Sequence, residues 1–261
     1  MLRQGDFEGT HAALMVHPGN TDELAMNPLS CVDYTVSFQG QSAHASAEPW
    51  NGRNALDAMT IMLTAIGLAR QQLKPDQQIH GMLHGAGSAP NVIPDSASGV
   101  WTIRAGSIES LREVGDVLRR CAEAGALATN THVHLEQQGN VFADLKHDAA
   151  MTSYFLAACR EFGRDLITQP GPPKGSTDMG NVSQFYPSIH PMLSVGPDAP
   201  PIHSPEFAQA TLGPGAEQEL KDASLAMAYT VIDLCTDPEQ RARLLAHVPP
   251  PTDRSGLELQ D

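Results

Sequence analysis

The chain has 261 residues, 41% hydrophobic and 18% charged, which is enough apolar material for one large domain or two small ones and excludes wholesale disorder. Its 16 basic and 30 acidic residues leave a formal charge of −14, which argues against nucleic acid or an anionic membrane as partner. No apolar run reaches the ~18 residues of a membrane span, no apolar stretch follows Arg3 as a signal peptide requires, and Cys31, Cys121, Cys159 and Cys235 form no CxxC pair, so the expectation is a soluble cytoplasmic chain with buried free thiols at Cys121 and Cys159.

In chain order, residues 10–16 (THAALMV) form a compact apolar run that stops at His17-Pro18-Gly19, as a buried strand ending in a loop does. Residues 20–28 read as a polar linker. Residues 31–38 alternate, with Val32, Tyr34, Val36 and Phe38 on one face, the pattern of a half-buried strand. A loop of small residues follows over 40–52. Residues 53–73 predict a helix with Leu56, Met59, Leu63, Ile66 and Leu73 on one stripe, started by Asn51 or Gly52. Residues 79–84 predict a strand, 89–96 a proline-punctuated turn, and 98–105 a second alternating strand. Ser107 caps a helix whose Leu111, Val114, Leu118 and Cys121 share a face, and 131–136 is a last short strand. Strand, helix, strand, strand, helix, strand is a ferredoxin-like split βαβ unit, filling about 29–138.

After Gly139 the pattern changes. Residues 148–162 predict a helix, 168–175 a Pro/Gly loop, 175–186 a helix capped by Ser176, and 189–195 a strand. Residues 196–205 (GPDAPPIHSP) are irregular. Residues 217–234 predict a helix with Leu220, Met227, Val231 and Leu234 on one stripe, and the tail after Pro249 should fray. The fold class is therefore α/β: an outer domain of 1–28 and 139–261, with an α+β module inserted over 29–138. With one strand before the insertion and about two after it, the outer domain is partial. Ala12, Leu14 and Val16 should share one face and be more exposed than their types prefer.

Three of the eleven histidines have informative settings. His17 lies just past a strand, where open α/β sheets gather ligands. His203 lies in an irregular loop, and such loops can aim an imidazole at a metal. His44 lies among small residues (GQSAHAS) that let a ligand approach. Asn91 is either a turn-maker or a ligand group, and Arg104 either pairs with an acid or offers its planar fork to a carboxylate. Asp178 could cap a helix, support a ligating histidine, or be solvated. No G-x-S-x-G, HExxH, P-loop or G-x-G-x-x-G is present.

Four ordered stretches resemble one family. GQSAHASAEPWNGRNALDAM and APNVIPDSASGVWTIRA are similar to the two lid signatures of the zinc aminoacylase, amidohydrolase and glutamate-carboxypeptidase family (peptidase clan MH, family 20). KGSTDMGNVSQFYPSIHP and PPIHSPEF resemble the last blocks of its catalytic domain, and the GSTDMGNVS block with the Gly-containing stretch before APNVIPD is most like the Xaa-basic dipeptidase and aminobenzoyl-glutamate hydrolase branch. The resemblance implies a partial zinc-exopeptidase domain carrying an inserted lid through which two copies dimerise. It implies that His17 and His203 bind the two zinc ions, one each. His44 would reach the partner subunit's active site to polarise the scissile carbonyl, and Asn91 and Arg104 would bind the substrate or its carboxylate. The substrate would be a small amide or dipeptide with a free carboxylate.

In that family a His or Cys pair with a bridging acid, and a Glu-Glu pair holding the general base, precede the position of His17. Here the residues before His17 include only Asp6 and Glu8 as acids. The expectation is that the N-terminal part of the catalytic domain is missing and that the chain alone is inactive. The alternative is a non-catalytic dimerisation or ligand-binding fragment with a vestigial site.

Overall fold

A computed structural model describes residues 1–172 and 175–249. The tail predicted to fray after Pro249 therefore lies outside the described residues, as do two positions of the predicted 168–175 loop. Among the described residues, Met1–Pro28 form one compact unit with residues 143–249, and Leu29–Phe142 form another.

The N-terminal segment contributes two very short strands, β1 (Ala13–Leu14) and β2 (His17–Gly19). The apolar run was expected to end as a strand before His17. Instead, pairing resumes at His17 itself. Pro18 is tolerated because strands this short carry few ladder bonds. Gly19 is buried, and a Cβ there would lie 2.2 Å from the Met192 side chain.

The middle unit is β3 (Ser30–Gln39), α1 (Ala55–Ala69), β4 (Gln78–Ala86), β5 (Ser96–Ala105), α2 (Ile108–Thr129) and β6 (His132–Phe142). Its four strands form one antiparallel sheet in the order β4-β5-β3-β6. This is the ferredoxin-like arrangement, with both helices packed together on one face. Alternation decides which side chains face those helices. Val32, Val36 and Phe38 of β3, and Ala97, Trp101, Ile103 and Ala105 of β5, are all buried. Ser107 caps α2 as expected, accepting from the Ser110 N–H, and Leu111, Val114, Leu118 and Cys121 are its buried stripe.

Helix α1 departs from its predicted register. Asn54, rather than Asn51 or Gly52, caps it by accepting from the Leu56 and Asp57 N–H groups. The buried stripe is Ala55, Ala58, Met59, Met62 and Ile66, whereas Leu56 and Leu63 are 37% and 40% exposed. Apolar residues surround this helix, so periodicity alone selects no face. The decision comes from α2: Gly125 lies so close to α1 that a Cβ there would be 2.3 Å from the Ala58 carbonyl oxygen. An approach this close demands small residues on both helices.

The chain returns to the first unit through α3 (Ala149–Glu161), α4 (Met179–Ser183), β7 (Ser188–Ile189), β8 (Met192–Ser194), α5 (Pro205–Ala210), α6 (Pro214–Thr236) and α7 (Pro238–Leu245). Strand β7 pairs parallel with β1, and β8 pairs parallel with β2, giving two separate two-stranded sheets. Helix α4 is shorter than predicted and starts at Met179. Asp178 holds its N-cap position, not Ser176, and makes no side-chain capping bond. Helix α7 was not predicted. Helix α6 buries Ala223, Ala226, Thr230 and Leu234, while Leu220 and Val231 of the predicted stripe are 64% and 46% exposed. The core is Met151, Phe155, Ala158, Cys159, Ile189, Leu193, Ala223, Ala226 and Leu234 with their neighbours. Ala12, Leu14 and Val16 pack against it but stay only half-buried.

Candidate functional site

The parallel pairing of β2 with β8 positions His17. Its N–H donates to the Pro191 carbonyl at 2.9 Å, and its register partner is Met192. The half-buried ring has Nδ1 2.7 Å from the Pro18 carbonyl oxygen. A carbonyl only accepts, so the neutral ring carries its proton on Nδ1 and presents Nε2 as a lone pair.

Across from it stands His190, which in the sequence is one residue of an apolar strand at the end of the KGSTDMGNVSQFYPSIHP stretch and has no assigned role there. The two ring centroids are 5.9 Å apart, with planes inclined by 47°. His190 is 1% exposed. Its Nδ1 lies 3.4 Å from Thr177 Oγ1, and its Nε2 is enclosed without a hydrogen-bond partner among the described residues. Burial, then the neighbouring His17 and His147, holds its pKa down to about 4, so the ring is neutral at physiological pH. His147 also belongs to this neighbourhood. Its Nε2 donates to the Met26 carbonyl at 2.8 Å, its Nδ1 is enclosed without a partner, and burial lowers its pKa against the pull of that bond. A usable signal did exist in the sequence: a histidine inside an otherwise apolar strand needs a reason to be buried.

The loop after His17 is held by a buried ion network. Arg164 donates through Nε to Asp222 at 2.7 Å, and through Nη1 to Asp22 at 3.0 Å and to the Ser194 carbonyl at 3.2 Å. Asp22 also accepts from the Ser194 N–H at 2.6 Å, which ties the loop to the end of β8. Burial works against the Arg164 charge, but the Asp222 and Asp22 carboxylates outweigh it and raise the guanidinium pKa further.

His203 is exposed, and its backbone is left-handed, with φ 67°, a conformation uncommon outside glycine. It directly precedes Ser204, whose Oγ donates to the Pro201 carbonyl and accepts from the Phe207 N–H to cap α5. Among the described residues, no three His, Cys, Asp or Glu side chains converge so as to hold a metal. His17 and His203 therefore share no third donor of these types there.

In the middle unit the structure brings His44 and Asn91 together. The two loops run antiparallel: His44 bridges Val92, the Ala45 N–H donates to the Asn91 carbonyl at 2.9 Å, and the Ile93 N–H donates to the Ala43 carbonyl at 2.9 Å. His44 is exposed, and its Nδ1 accepts from the Ser46 N–H at 3.3 Å. Gly40 anchors the base of the loop, since a Cβ there would lie 2.0 Å from the Arg53 carbonyl oxygen. Arg104 is elsewhere. It is half-buried near the far end of β5, eight residues beyond Ser96 (104 − 96), or about 27 Å along the strand. There it is in register with Gln78 and Cys31, on the sheet face away from the helices. Within one copy, Asn91 and Arg104 thus do not share a cleft.

Residues 30–130 match the family described as peptidase dimerisation domain. Over 91% of its length the chain is 31% identical to the Xaa-Arg dipeptidase of Mus musculus, covering 56% of that protein. Over 59% of its length it is 30% identical to one subunit of the p-aminobenzoyl-glutamate hydrolase of Escherichia coli, covering 30% of that subunit. Among solved structures, it resembles an aminobenzoyl-glutamate utilization protein from Klebsiella pneumoniae (TM-score 0.66, 18% identity, 87% of this chain and 56% of that one). It also resembles the YXEP protein of Bacillus subtilis, described as a dinuclear metal binding peptidase of the M20 family (TM-score 0.65, 17% identity, 88% and 60%). The chain thus spans about half the length of the first curated relatives it matches. Among the described residues no helix is long and apolar enough to cross a membrane.

Proposed function

We infer that this chain belongs to the M20 family of peptidases and forms part of a metal-dependent hydrolase of the dipeptidase or amidohydrolase type. Its substrate is a small amide or dipeptide with a free carboxylate. The observation that carries this reading is the 31% identity to a dipeptidase over 91% of the chain.

His17 suits a metal ligand because the Pro18 carbonyl fixes its tautomer with Nε2 free to coordinate. His203, aimed by the capped loop, would serve the second ion. Zinc, when bound, supplies a Lewis acid and lowers the pKa of its water. The chain's own groups bind and orient. His44, on the loop zipped to Asn91, polarises the scissile carbonyl in the partner subunit's site, and Asn91 and Arg104 receive the substrate and its carboxylate. Homodimerisation runs through the middle unit, whose α1 exposes Leu56, Leu63 and Leu68 and whose sheet has two open edges, β4 and β6. The buried free thiols support a cytoplasmic location.

Only His17 and His203 are assigned above as metal donors, short of the three protein ligands that a catalytic zinc takes, so the reading includes a chain that is inactive alone. The same shortfall supports a second reading, a non-catalytic dimerisation or ligand-binding fragment. The nucleotide sequence upstream of Met1, and the activity of what it encodes, decide between them. An in-frame segment with the further ligands should yield a product that hydrolyses a dipeptide and loses both turnover and zinc on His203→Ala. A stop codon followed by unrelated sequence supports the fragment. Hydrolysis by the present chain after contaminating peptidases are removed would overturn the inactivity.

A further inference from the structure

Beside His17 stands the most enclosed histidine of its neighbourhood, His190, which the proposed hydrolase gives no role. We propose that His190 is a metal-binding residue, which together with His17 holds one divalent transition-metal ion through the two Nε2 atoms. The inference rests on the reading of His17 as a metal ligand and adds a donor to it.

Three features of the pair converge on this. Both rings can present the same nitrogen. His17 must donate from Nδ1 to the Pro18 carbonyl, and His190 has Thr177 Oγ1 at 3.4 Å from its Nδ1 to take that proton. Nδ1–H held by an oxygen, with Nε2 left as a lone pair, is the arrangement of ligating imidazoles. The spacing is also right. An imidazole nitrogen binds zinc at about 2.0–2.1 Å, which puts each ring centre roughly 3 Å from the ion and two such centres about 5–6 Å apart. The observed separation is 5.9 Å. Finally, His190 Nε2 is a polar atom enclosed with no hydrogen-bond partner among the described residues, in a residue 1% exposed. A buried nitrogen left in this state is destabilising, and coordination would remove that penalty. His147 is not a third ligand, because no three such side chains converge among the described residues. Solvent completes the ion's shell.

The test needs no enzymatic activity. The full chain, labelled with nitrogen-15, is titrated with zinc sulfate while long-range proton–nitrogen spectra follow each imidazole. The Nε2 resonances of His17 and His190 should move together and saturate at one ion per chain. In calorimetric titration, His190→Ala should weaken zinc binding roughly tenfold or more, as should His17→Ala, whereas His247→Gln should leave it unchanged. Movement of His17 alone would overturn the role of His190 and leave the reading of His17 standing. Movement of neither would overturn both. Unchanged affinity in a folded His190→Ala variant would also overturn the proposal, and if that variant does not fold, the spectra of the unaltered chain decide.

Discussion

Replacing Arg164 by leucine tests whether the ion network behind His17 holds its unit together. The guanidinium side chain is 13% exposed, and those of Asp22 and Asp222 are 23% and 10% exposed. Removing it strips Asp222 and Asp22 of their cation while both stay largely out of water, with Glu219, itself 7% exposed, close by. Breaking a buried pair from one side costs about 3–5 kcal/mol, a large share of the roughly 5–15 kcal/mol of a typical domain. With a urea slope of about 1–3 kcal/mol per molar, the midpoint of this unit should fall by about 2 M. Both tryptophans, Trp50 and Trp101, belong to the middle unit, and Trp101 is 2% exposed. Tryptophan fluorescence therefore follows the middle unit, while far-ultraviolet circular dichroism follows both. The variant should lower the circular-dichroism midpoint and leave the fluorescence midpoint in place. Adding Asp22→Asn and Asp222→Asn should return part of the loss, because the stranded charges are then gone. A single variant whose two midpoints match those of the unaltered chain would refute the reasoning, since the network would then contribute nothing.

Glu219 has its pKa raised, by burial first and then by Asp22 and Asp222 against the pull of Arg164. A raised carboxyl contributes stability that is fully present below its unfolded pKa and is lost as pH rises through the folded value. Glu219→Gln should therefore raise the thermal midpoint at pH 7 and leave it nearly unchanged at pH 4; a lower midpoint at pH 7 would contradict the assignment. Gly40→Ala should destabilise the middle unit by about 1–3 kcal/mol, read as a lower fluorescence midpoint, because the new Cβ meets the Arg53 carbonyl. In thiol titration with an aromatic disulfide, Cys235 alone should react quickly, since Cys31, Cys121 and Cys159 are buried. Burial also pushes Cys159 up to about 12. Fast reaction of a second thiol in the native chain would show an opening that the structure lacks.

The sequence by itself determined the middle unit, because each of its elements carries a signal that does not depend on its neighbours. The alternation of β3 and β5, the Ser107 cap and the single stripe of α2 are local patterns, and the structure keeps them. It also singled out His17 by its place just past a strand, and His44, Asn91, Arg104 and His203 by their place in the stretches that resemble the family. What it could not determine was which of several apolar faces a helix buries. Helix α1 turns Ala55, Ala58 and Met62 inward and leaves Leu56 and Leu63 exposed, because Gly125 of α2 lets the two backbones close on small residues. Helix α6 does the same with Ala223 and Ala226, and it turns Asp222 toward Arg164, a residue 58 positions away in the chain. His190 is the sharpest case. Its spacing in the chain marks it as one more residue of an apolar strand. Only the parallel pairing of β2 with β8 brings a segment from the start of the chain beside it and sets two imidazoles side by side across 173 residues of sequence (190 − 17). Local patterning reports what a segment can become; the side chain it meets depends on long-range register, which the packing of the whole unit sets.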